Sequence, residues 1–381
     1  STVSVTDKRI NSMRIQQSAY GLCQPLVYGK NRVAANMFWY GDFLATAHTT
    51  TKKSGGKGGG SVKTKTTTYT YSASMMLGLC ENKIRDISTI WRDKEQIVTK
   101  AINGIQIKPI DQLGFELFDG DYNPVWGYLV SKHPNQALHY PYLGYVACAN
   151  YELGGSAVLS NHNFEVISDI TFSESNHDAN PADVIKDYVT NPRYGAAPGL
   201  HMADLTEFRD YCTATGLFIS PVFTEQRPAH ETIAEIVEAV NCAVVPSPEG
   251  LKIRSFGDSA VTGNGSTYIP NLTPVYHLTD EDFIGKEEPV RVRRSRDTDA
   301  FNHVQIEYAN RFNQYNVETV EAKDQANIEM FGLRTQDPVK YDFFCEPKIA
   351  RHAVQLLLQR MLYVRNEYEF ELGWKYCRLE P

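Results

Sequence analysis

The chain has 381 residues, 42% hydrophobic and 22% charged, a balance that excludes a wholly disordered or fibrous chain and, at ~150 residues per domain, predicts two or three domains. Lys and Arg number 38 and Asp and Glu 45, and the resulting net charge of −7 argues against a surface built throughout to grip nucleic-acid phosphates. No run reaches the ~18 apolar residues of a membrane helix, so no membrane anchor is expected, and residues 1–6 lack the features of a signal peptide.

The first part reads as β-rich, because Tyr, Thr and Val suit pleated, half-buried surfaces. Candidate strands are 22–28, 37–47, 66–79, 86–91, 114–118 and 163–172, separated by Gly, Pro, Asn and Asp clusters. Between the second and third lies 49–65, where Ser54-Gly-Gly-Lys-Gly-Gly-Gly60 stands among Thr and Lys. This composition buries no core, so a mobile loop of a long hairpin is expected.

The middle changes period. Asn180-Pro181 is an N-cap and first-turn pair, and Val184, Ile185, Tyr188 and Val189 form one helical face that Asn191-Pro192 ends. Leu205, Phe208, Tyr211 and Cys212 repeat the pattern with Gly216 as the C-terminal cap. A strand is expected at 217–223, then a helix carrying Ile233, Ile236, Val237 and Val240. Strands at 242–245 and 251–255 flank the turn Ser247-Pro-Glu-Gly250.

From Pro289 strands return at 290–296, 303–309 and 316–320. A helix over 347–364 follows, with Ile349, Ala353, Leu356, Leu357 and Met361 on its apolar stripe. Glu367, Glu369 and Glu371 then alternate with Tyr368, Phe370 and Leu372 and continue through Trp374 and Tyr376, which predicts a half-buried strand.

Motifs that carry chemistry mostly fail on inspection. Lys57 is followed by Gly58, so the Gly-rich segment lacks the G-K-[ST] of a phosphate loop. His230-Glu-Thr-Ile-Ala234 starts like a zinc-protease helix, yet Ala stands where the second ligand must return. Asp119, Asp121 and Asn123 have calcium-loop spacing, but Pro124 replaces the turn glycine and Val130 the bidentate Glu. No G-x-S-x-G nucleophile elbow occurs, and paired carboxylates for glycoside hydrolysis are a spatial matter. The seven cysteines (23, 80, 148, 212, 242, 345 and 377) are scattered without a C-x-x-C pair, and read as reduced, mostly buried thiols. Catalytic, cofactor-binding and metal-binding residues are therefore expected to be none, with no cofactor and no enzymatic activity. The one basic cluster, Arg291-Val-Arg293-Arg294-Ser-Arg296, puts Arg291 and Arg293 on one strand face. It reads either as a contact to DNA or an acidic partner, or as a solvated or subunit-facing strand balanced by Asp297 and Asp299.

Ser18-Ala-Tyr-Gly-Leu-Cys-Gln-Pro-Leu-Val-Tyr-Gly-Lys-Asn-Arg-Val-Ala-Ala-Asn36 is followed by Phe38-Trp-Tyr-Gly-Asp-Phe43. After the Gly/Lys interruption comes Tyr69-Thr-Tyr-Ser-Ala-Ser-Met-Met-Leu-Gly-Leu-Cys-Glu-Asn-Lys-Ile-Arg-Asp-Ile-Ser-Thr-Ile-Trp-Arg-Asp93. In this order the runs resemble bacteriophage tail-tip and baseplate-hub proteins of the gene-transfer-agent and lambdoid type. Pro181 to Gly195, Phe208 to Gly216 and Trp374 to Pro381 are similar to later segments of that family, so the likeness spans almost the whole chain. Asn82 stands where the family usually has Gly.

The resemblance implies an α+β, mainly β fold, with two tube-like β-barrel domains flanking a smaller α/β domain. Residues 1–175 would form the first, with the mobile loop at 49–65 and an inserted region near 98–140. Residues 176–288 would form the α/β domain, and 289–381 the second β domain, expected to be incomplete because the family pattern continues beyond Pro381. It further implies a structural homotrimer at the virion tail tip, assembled in the bacterial host cytoplasm and taking part in host entry and genome ejection. Its partners would be the distal tail protein, tip or fibre proteins and the tape-measure protein, with DNA in transient, non-specific passage. The competing classes are a virion-associated cell-wall hydrolase and a nucleic-acid-binding module built on the arginine strand.

Overall fold

The structure, a computed structural model, describes residues 2–13, 23–56, 59–247, 250–284, 288–377 and 379. Its architecture is α+β and mainly β. Contacts divide it into two compact units, Ser1–Asp169 with Val222–Glu225, and Ile170–Pro221 with Gln226–Pro381. The segments expected to part at 288 thus share one unit.

In the first unit the chain runs through β1 (Thr2–Thr6), β2 (Leu26–Val27), β3 (Lys30–Ala34), β4 (Asn36–Gly56), β5 (Gly59–Cys80) and β6 (Ile84–Arg92). It continues through β7 (Glu95–Val98), a small hairpin of β8 (Lys100–Ile102) and β9 (Ile105–Ile107), α1 (Pro109–Leu113) and β10 (Glu116–Phe118). Then come α2 (Gly127–Lys132), β11 (Gly144–Gly154) and β12 (His162–Ser168). β5 is the spine of one sheet: β4 pairs along one edge, and β1 and β11 share the other, with β10 outside β11. The second sheet has the order β3-β12-β6-β7, and a short returning strand, β13 (Val222–Phe223), pairs with β2.

Side chains of β5 alternate between two apolar clusters. Tyr71, Ala73, Met75, Leu77 and Leu79 join Val33, Ile87, Ile90, Phe164 and Val166 of the second sheet. On the other face Met76 joins Tyr145 of β11, Leu129 of α2 and Trp126 just before that helix. A strand covered on both sides needs an almost unbroken apolar run, and Met75 to Cys80 is one.

Two expectations here are corrected. Residues 49–65 are strand up to Gly56 and from Gly59 onward, paired as far as Gly56 with Gly59; Lys57 and Gly58 lie outside the described residues. The physical reason is the threonine content: β-branched residues favour extended chain, and Thr49 faces Thr67 with their hydroxyls 3.2 Å apart. β1 adds a further ladder along Lys63 to Thr67. Second, β11 is a strand where the sequence pattern predicts none. Its Gly, Ala, Cys and Asn residues carry weak β-propensity, and burial between neighbours makes it a strand.

In the second unit α3 (Pro181–Thr190) is capped by Asn180, whose Oδ1 accepts from Ala182 N at 2.9 Å. α4 (Thr206–Thr215) ends at Gly216, left-handed at φ 73°, as the sequence predicts. α5 (Ala229–Ala239) buries Ile233, Ile236 and Val237. The hairpin β14 (Cys242–Ser247) with β15 (Gly250–Ser255) and the smaller β16 (Val261–Gly263) with β17 (Ser266–Tyr268) follow. The strand expected at 217–223 shrinks to an isolated bridge from Ile219 to Ala179, and to β13 in the first unit.

The last third contains β18 (Val290–Arg294), β19 (His303–Asn310), β20 (Asn316–Lys323), α6 (Gln325–Phe331), β21 (Val339–Lys340), α7 (Pro347–Tyr363) and β22 (Asn366–Phe370). β19 lies between β20 and β21, and α7 packs on β19 and β20 with Ile349, Ala353, Val354, Leu357 and Leu358 buried.

Candidate functional site

Two features separated by about 70 residues of sequence meet in one ribbon. β18 pairs antiparallel with β22, setting Arg291 opposite Glu369 and Arg293 opposite Glu367. Arg293 Nη2 also reaches Glu369 Oε2 at 3.9 Å, and Arg291 Nε lies 3.4 Å from Glu288 Oε2. Arg293 is thus balanced across the ribbon and Arg291 by Glu288 just before its own strand, rather than by Asp297 and Asp299; Asp297 pairs instead with Arg365. Because opposite residues share a face, Val290, Val292, Tyr368 and Phe370 make up the other face.

That apolar face lacks the cover its alternation predicts. Val292 and Tyr368 are each 57% exposed and Phe370 41%; Phe283 sets its ring against Phe370, at 5.6 Å. The expected half-buried strand is thus a solvent-facing one. It also ends at Phe370: Leu372 makes an isolated bridge to Phe283, and Trp374–Tyr376 form a 3-10 turn with Trp374 88% exposed. The turn is held by Asp282, which accepts from Lys375 Nζ at 2.8 Å and Tyr376 Oη at 2.5 Å. Those two hydrogen bonds hold the Asp282 carboxyl well below the usual carboxylate range.

Elsewhere in the second unit, a buried ion pair ties the α/β segment to the last third. Arg311 hydrogen-bonds Asp178, which is 2% exposed, and Ser220 Oγ donates to Asp178 Oδ1 at 2.5 Å. Backbone bonds run alongside: Ser220 N to Phe343 O at 2.8 Å and Arg311 N to Cys345 O at 3.0 Å. Burial alone would lower the Arg311 pKa, and the adjoining carboxylate more than offsets that, so the guanidinium stays charged. The partners lie 133 positions apart, and no local pattern in the sequence signals the pair.

In the first unit, bulges in β4 and β11 put Asp42 and Asn150 at positive φ. Asp42 Oδ2 accepts from Tyr128 Oη and pairs with His133 Nε2, both at 2.7 Å, and Tyr128 first, then His133, lowers its pKa. Ser74 Oγ donates to Tyr128 Oη at 3.0 Å and accepts from Asn150 N at 3.1 Å. Serine, histidine and aspartate thus share one network, yet the serine proton goes to a phenol and not to the imidazole. That order supplies no general base to a nucleophile, and the network serves to fix two bulges.

His230 and Glu231 lie exposed in the first turn of α5, which Arg227 brackets through Glu235 at 2.8 Å. Asp119, Asp121 and Asn123 form an Asx-rich turn: Asp119 Oδ1 accepts from Asp121 N and Asn123 Oδ1 from Gly120 N, both at 3.0 Å, while Lys83 holds Asp121. Among the described residues no group of three or more His, Cys, Asp or Glu is placed to hold a metal ion. Cys80, Cys148, Cys212, Cys242 and Cys345 are buried thiols, Cys23 and Cys377 exposed ones. Burial pushes the Cys148 thiol up to about 11, away from the reactive thiolate. Asn82, where the family usually has Gly, is buried and bonds Val27 at both ends, accepting from its N at 2.9 Å and donating to its O at 2.5 Å. It acts as one rung of a strand partner.

Residues 228–381 match a family model described as "Putative phage tail protein". Among solved structures, a chain of the "Virion of native gene transfer agent (GTA) particle" aligns at TM-score 0.56 and 15% identity, covering 95% of this chain and 78% of that one. A 43 kDa tail protein of prophage MuSo2 from Shewanella oneidensis aligns over 90% of this chain and 83% of its own, at 12% identity. Its TM-score of 0.29 gives it no weight. No curated protein matches. The resemblance to phage tail proteins read from the sequence is borne out.

Proposed function

We propose that this phage tail protein is a structural baseplate or tail-tip hub. Three copies form a ring that continues the tail tube and joins it to tip or fibre proteins, with DNA leaving through the channel. The observation that carries the reading is the tail-protein family match over residues 228–381, which meets the hub-like motif order at 18–93 from the other end of the chain. Charge supports it: three copies carry three times −7, a formal −21, which suits a channel past which DNA slides without being gripped. The Ser74, Tyr128, Asp42 and His133 network, lacking an activated nucleophile, supports a structural rather than hydrolytic role.

A reconstruction of the tail tip tests the proposal. The expected result is three copies around the central axis, in contact with the distal tail and tape-measure proteins. A position off the axis, or another copy number, overturns it. Clearing of cell-wall suspensions by the purified chain would instead establish the hydrolase, and salt-dependent DNA binding lost on replacing Arg291 and Arg293 would establish the nucleic-acid module.

A further inference from the structure

The hairpin of β4 and β5 is basic in an acidic chain. Between Asp42 and Glu81 stand five lysines, at 52, 53, 57, 63 and 65, and no Asp, Glu or Arg. The hairpin thus contributes five positive charges to a chain of net −7, which leaves −12 for the rest. The register gathers most of that charge on one face. Lys53 stands opposite Lys63 and Thr51 opposite Lys65, while β1, along the other edge of β5, sets Ser4 beside Lys65 and Thr6 beside Thr67. Paired residues share a face, so three strands present hydroxyl and ammonium groups together. All of these residues except Thr67 are exposed. Val5 and Val62 fall on the opposite face, in register with Thr66 and Ser54.

Lysine on an edge strand often serves to keep other chains from pairing there. That accounts for Lys52 and Lys53 of β4, but Lys63 and Lys65 belong to β5, which has a strand on each side. Among the described residues no carboxylate pairs with any of these four lysines. Lys53 directly opposite Lys63 is a like-charge pair and costs stability. An anion laid across the face removes that cost.

From this face we infer that the hairpin is a docking arm for duplex DNA, whose phosphates Lys53, Lys63 and Lys65 contact without reading sequence. Lys63 and Lys65 lie ~6.7 Å apart along the strand, a length over which a duplex presents about four phosphate charges. The composition selects this partner over others. Protein interfaces favour aromatic residues, Met and Arg and disfavour Lys and Ser, and the face has none of the favoured group. Single strands are held by stacking on aromatic rings, which are absent here too. Stable attachment to a bilayer needs an apolar anchor beside a basic patch, and Val5 and Val62 point the other way. Without Arg, Asn or Gln to make bidentate base contacts, binding is indifferent to sequence. Phosphate contacts of this kind let a protein slide along a duplex, so the arm is compatible with DNA in passage. The inference goes beyond the ring, because it needs only one chain and DNA.

The experiment follows the fluorescence anisotropy of a labelled duplex of mixed sequence, titrated with the full chain at salt concentrations from about 50 to 200 mM. Three to five lysine contacts should give a slope of about −3 to −4.5 for the logarithm of affinity against that of salt. The triple variant Lys53→Gln, Lys63→Gln and Lys65→Gln should lose affinity at least about tenfold at ~50 mM salt, and its slope should shrink by about 3. Arginine at the same three positions should keep the binding, which separates lost charge from a damaged hairpin. Arg291→Ala with Arg293→Ala should leave it unchanged. A wild-type chain that ignores the duplex at about 100 μM and low salt overturns the inference, since non-specific binding reaches that range. Binding that survives the lysine changes and fails with the arginine pair also overturns it. So do vesicles of phosphatidylserine and phosphatidylcholine held more tightly than the duplex through the same lysines. The ring is judged separately, by copy number at the tail tip.

Discussion

In β5, Met75, Leu77 and Leu79 enter one cluster of buried residues and Met76 another, so that both faces of the strand are sealed within the first unit. In β22, Tyr368 and Phe370 alternate just as regularly with Glu367 and Glu369, yet the whole strand stands in solvent. The distal half of the β4–β5 hairpin is a third condition: it too is exposed, but Thr, Lys and Ser occupy both its faces. Periodicity thus reports which face is apolar and leaves open where its cover comes from. A strand apolar on both faces finds cover in its own chain, one polar on both needs none, and one that alternates without internal cover leaves its apolar row in solvent.

The sharpest way to break this comparison is to place a carboxylate in each strand. Leu77→Asp buries a charge without a counter-ion and should cost more than about 5 kcal/mol, leaving no cooperative unfolding of the first unit. Val292→Asp should change the isolated chain's stability by no more than about 1 kcal/mol. Urea unfolding followed by circular dichroism measures both. Comparable losses would mean that the ribbon is packed in the free chain.

A second comparison sets the buried ion pair beside the exposed ones. Arg311→Met leaves Asp178 charged and nearly inaccessible, and should destabilise the second unit by about 3–5 kcal/mol. Adding Asp178→Leu should restore most of that, because the penalty is the orphaned charge rather than the lost attraction. Arg293→Ala should leave the unfolding midpoint of the separated chain where it was, since its partners are solvated. An additive double mutant would refute the account of the Arg311 pair.

What the sequence could and could not show follows from the same physics. The helices at 181–190 and 206–215 were legible because capping is local: Asn180-Pro181 and Gly216 each act within a turn. β11 was not, since Ala147, Cys148 and Ala149 become a strand through the neighbours that bury them. At the ribbon, the arginine and glutamate strands were each visible as patterns, but their pairing across more than 70 residues was not. Asp42, Ser74, Tyr128 and His133 were missed outright, because only two bulges bring them together.

Titration separates the units more gently. His162 in the first unit is buried between Tyr151 Oη at 2.8 Å and Ser160 O at 2.7 Å. The carbonyl only accepts, so Nδ1 carries the proton and Nε2 accepts from the tyrosine. Burial lowers its pKa, so the unfolded chain takes up a proton before the folded one does. Stability is therefore full above about pH 6.5 and declines as the pH falls from there toward the folded value. His352 in the second unit, lowered by burial too, adds a term of the same sign. Urea midpoints at pH 7.5 and 5.5 should differ in this direction, and His162→Gln should flatten the first unit's share while leaving the second's.

The smallest effect is expected at the hairpin tip, where deleting Ser54 to Gly60 tests the polar limit of the comparison. The first rung that β1 makes with β5 is Thr2 against Lys63, beyond the deleted stretch, and Thr49 still faces Thr67. The body of the sheet thus keeps its pairing and its apolar clusters. Shortening the connection changes closure entropy only slowly with length, by roughly 0.6 kcal/mol per doubling. The melting temperature of the isolated chain should therefore shift by less than about 3 °C, as exposed changes of ~0.5 kcal/mol do in a chain this large. A fall of about 8 °C or more would show that the tip packs against the free chain and belongs with β5 rather than with the surfaces left open. An unchanged melt combined with failed tail assembly would mark the hairpin tip as an element completed only by neighbours.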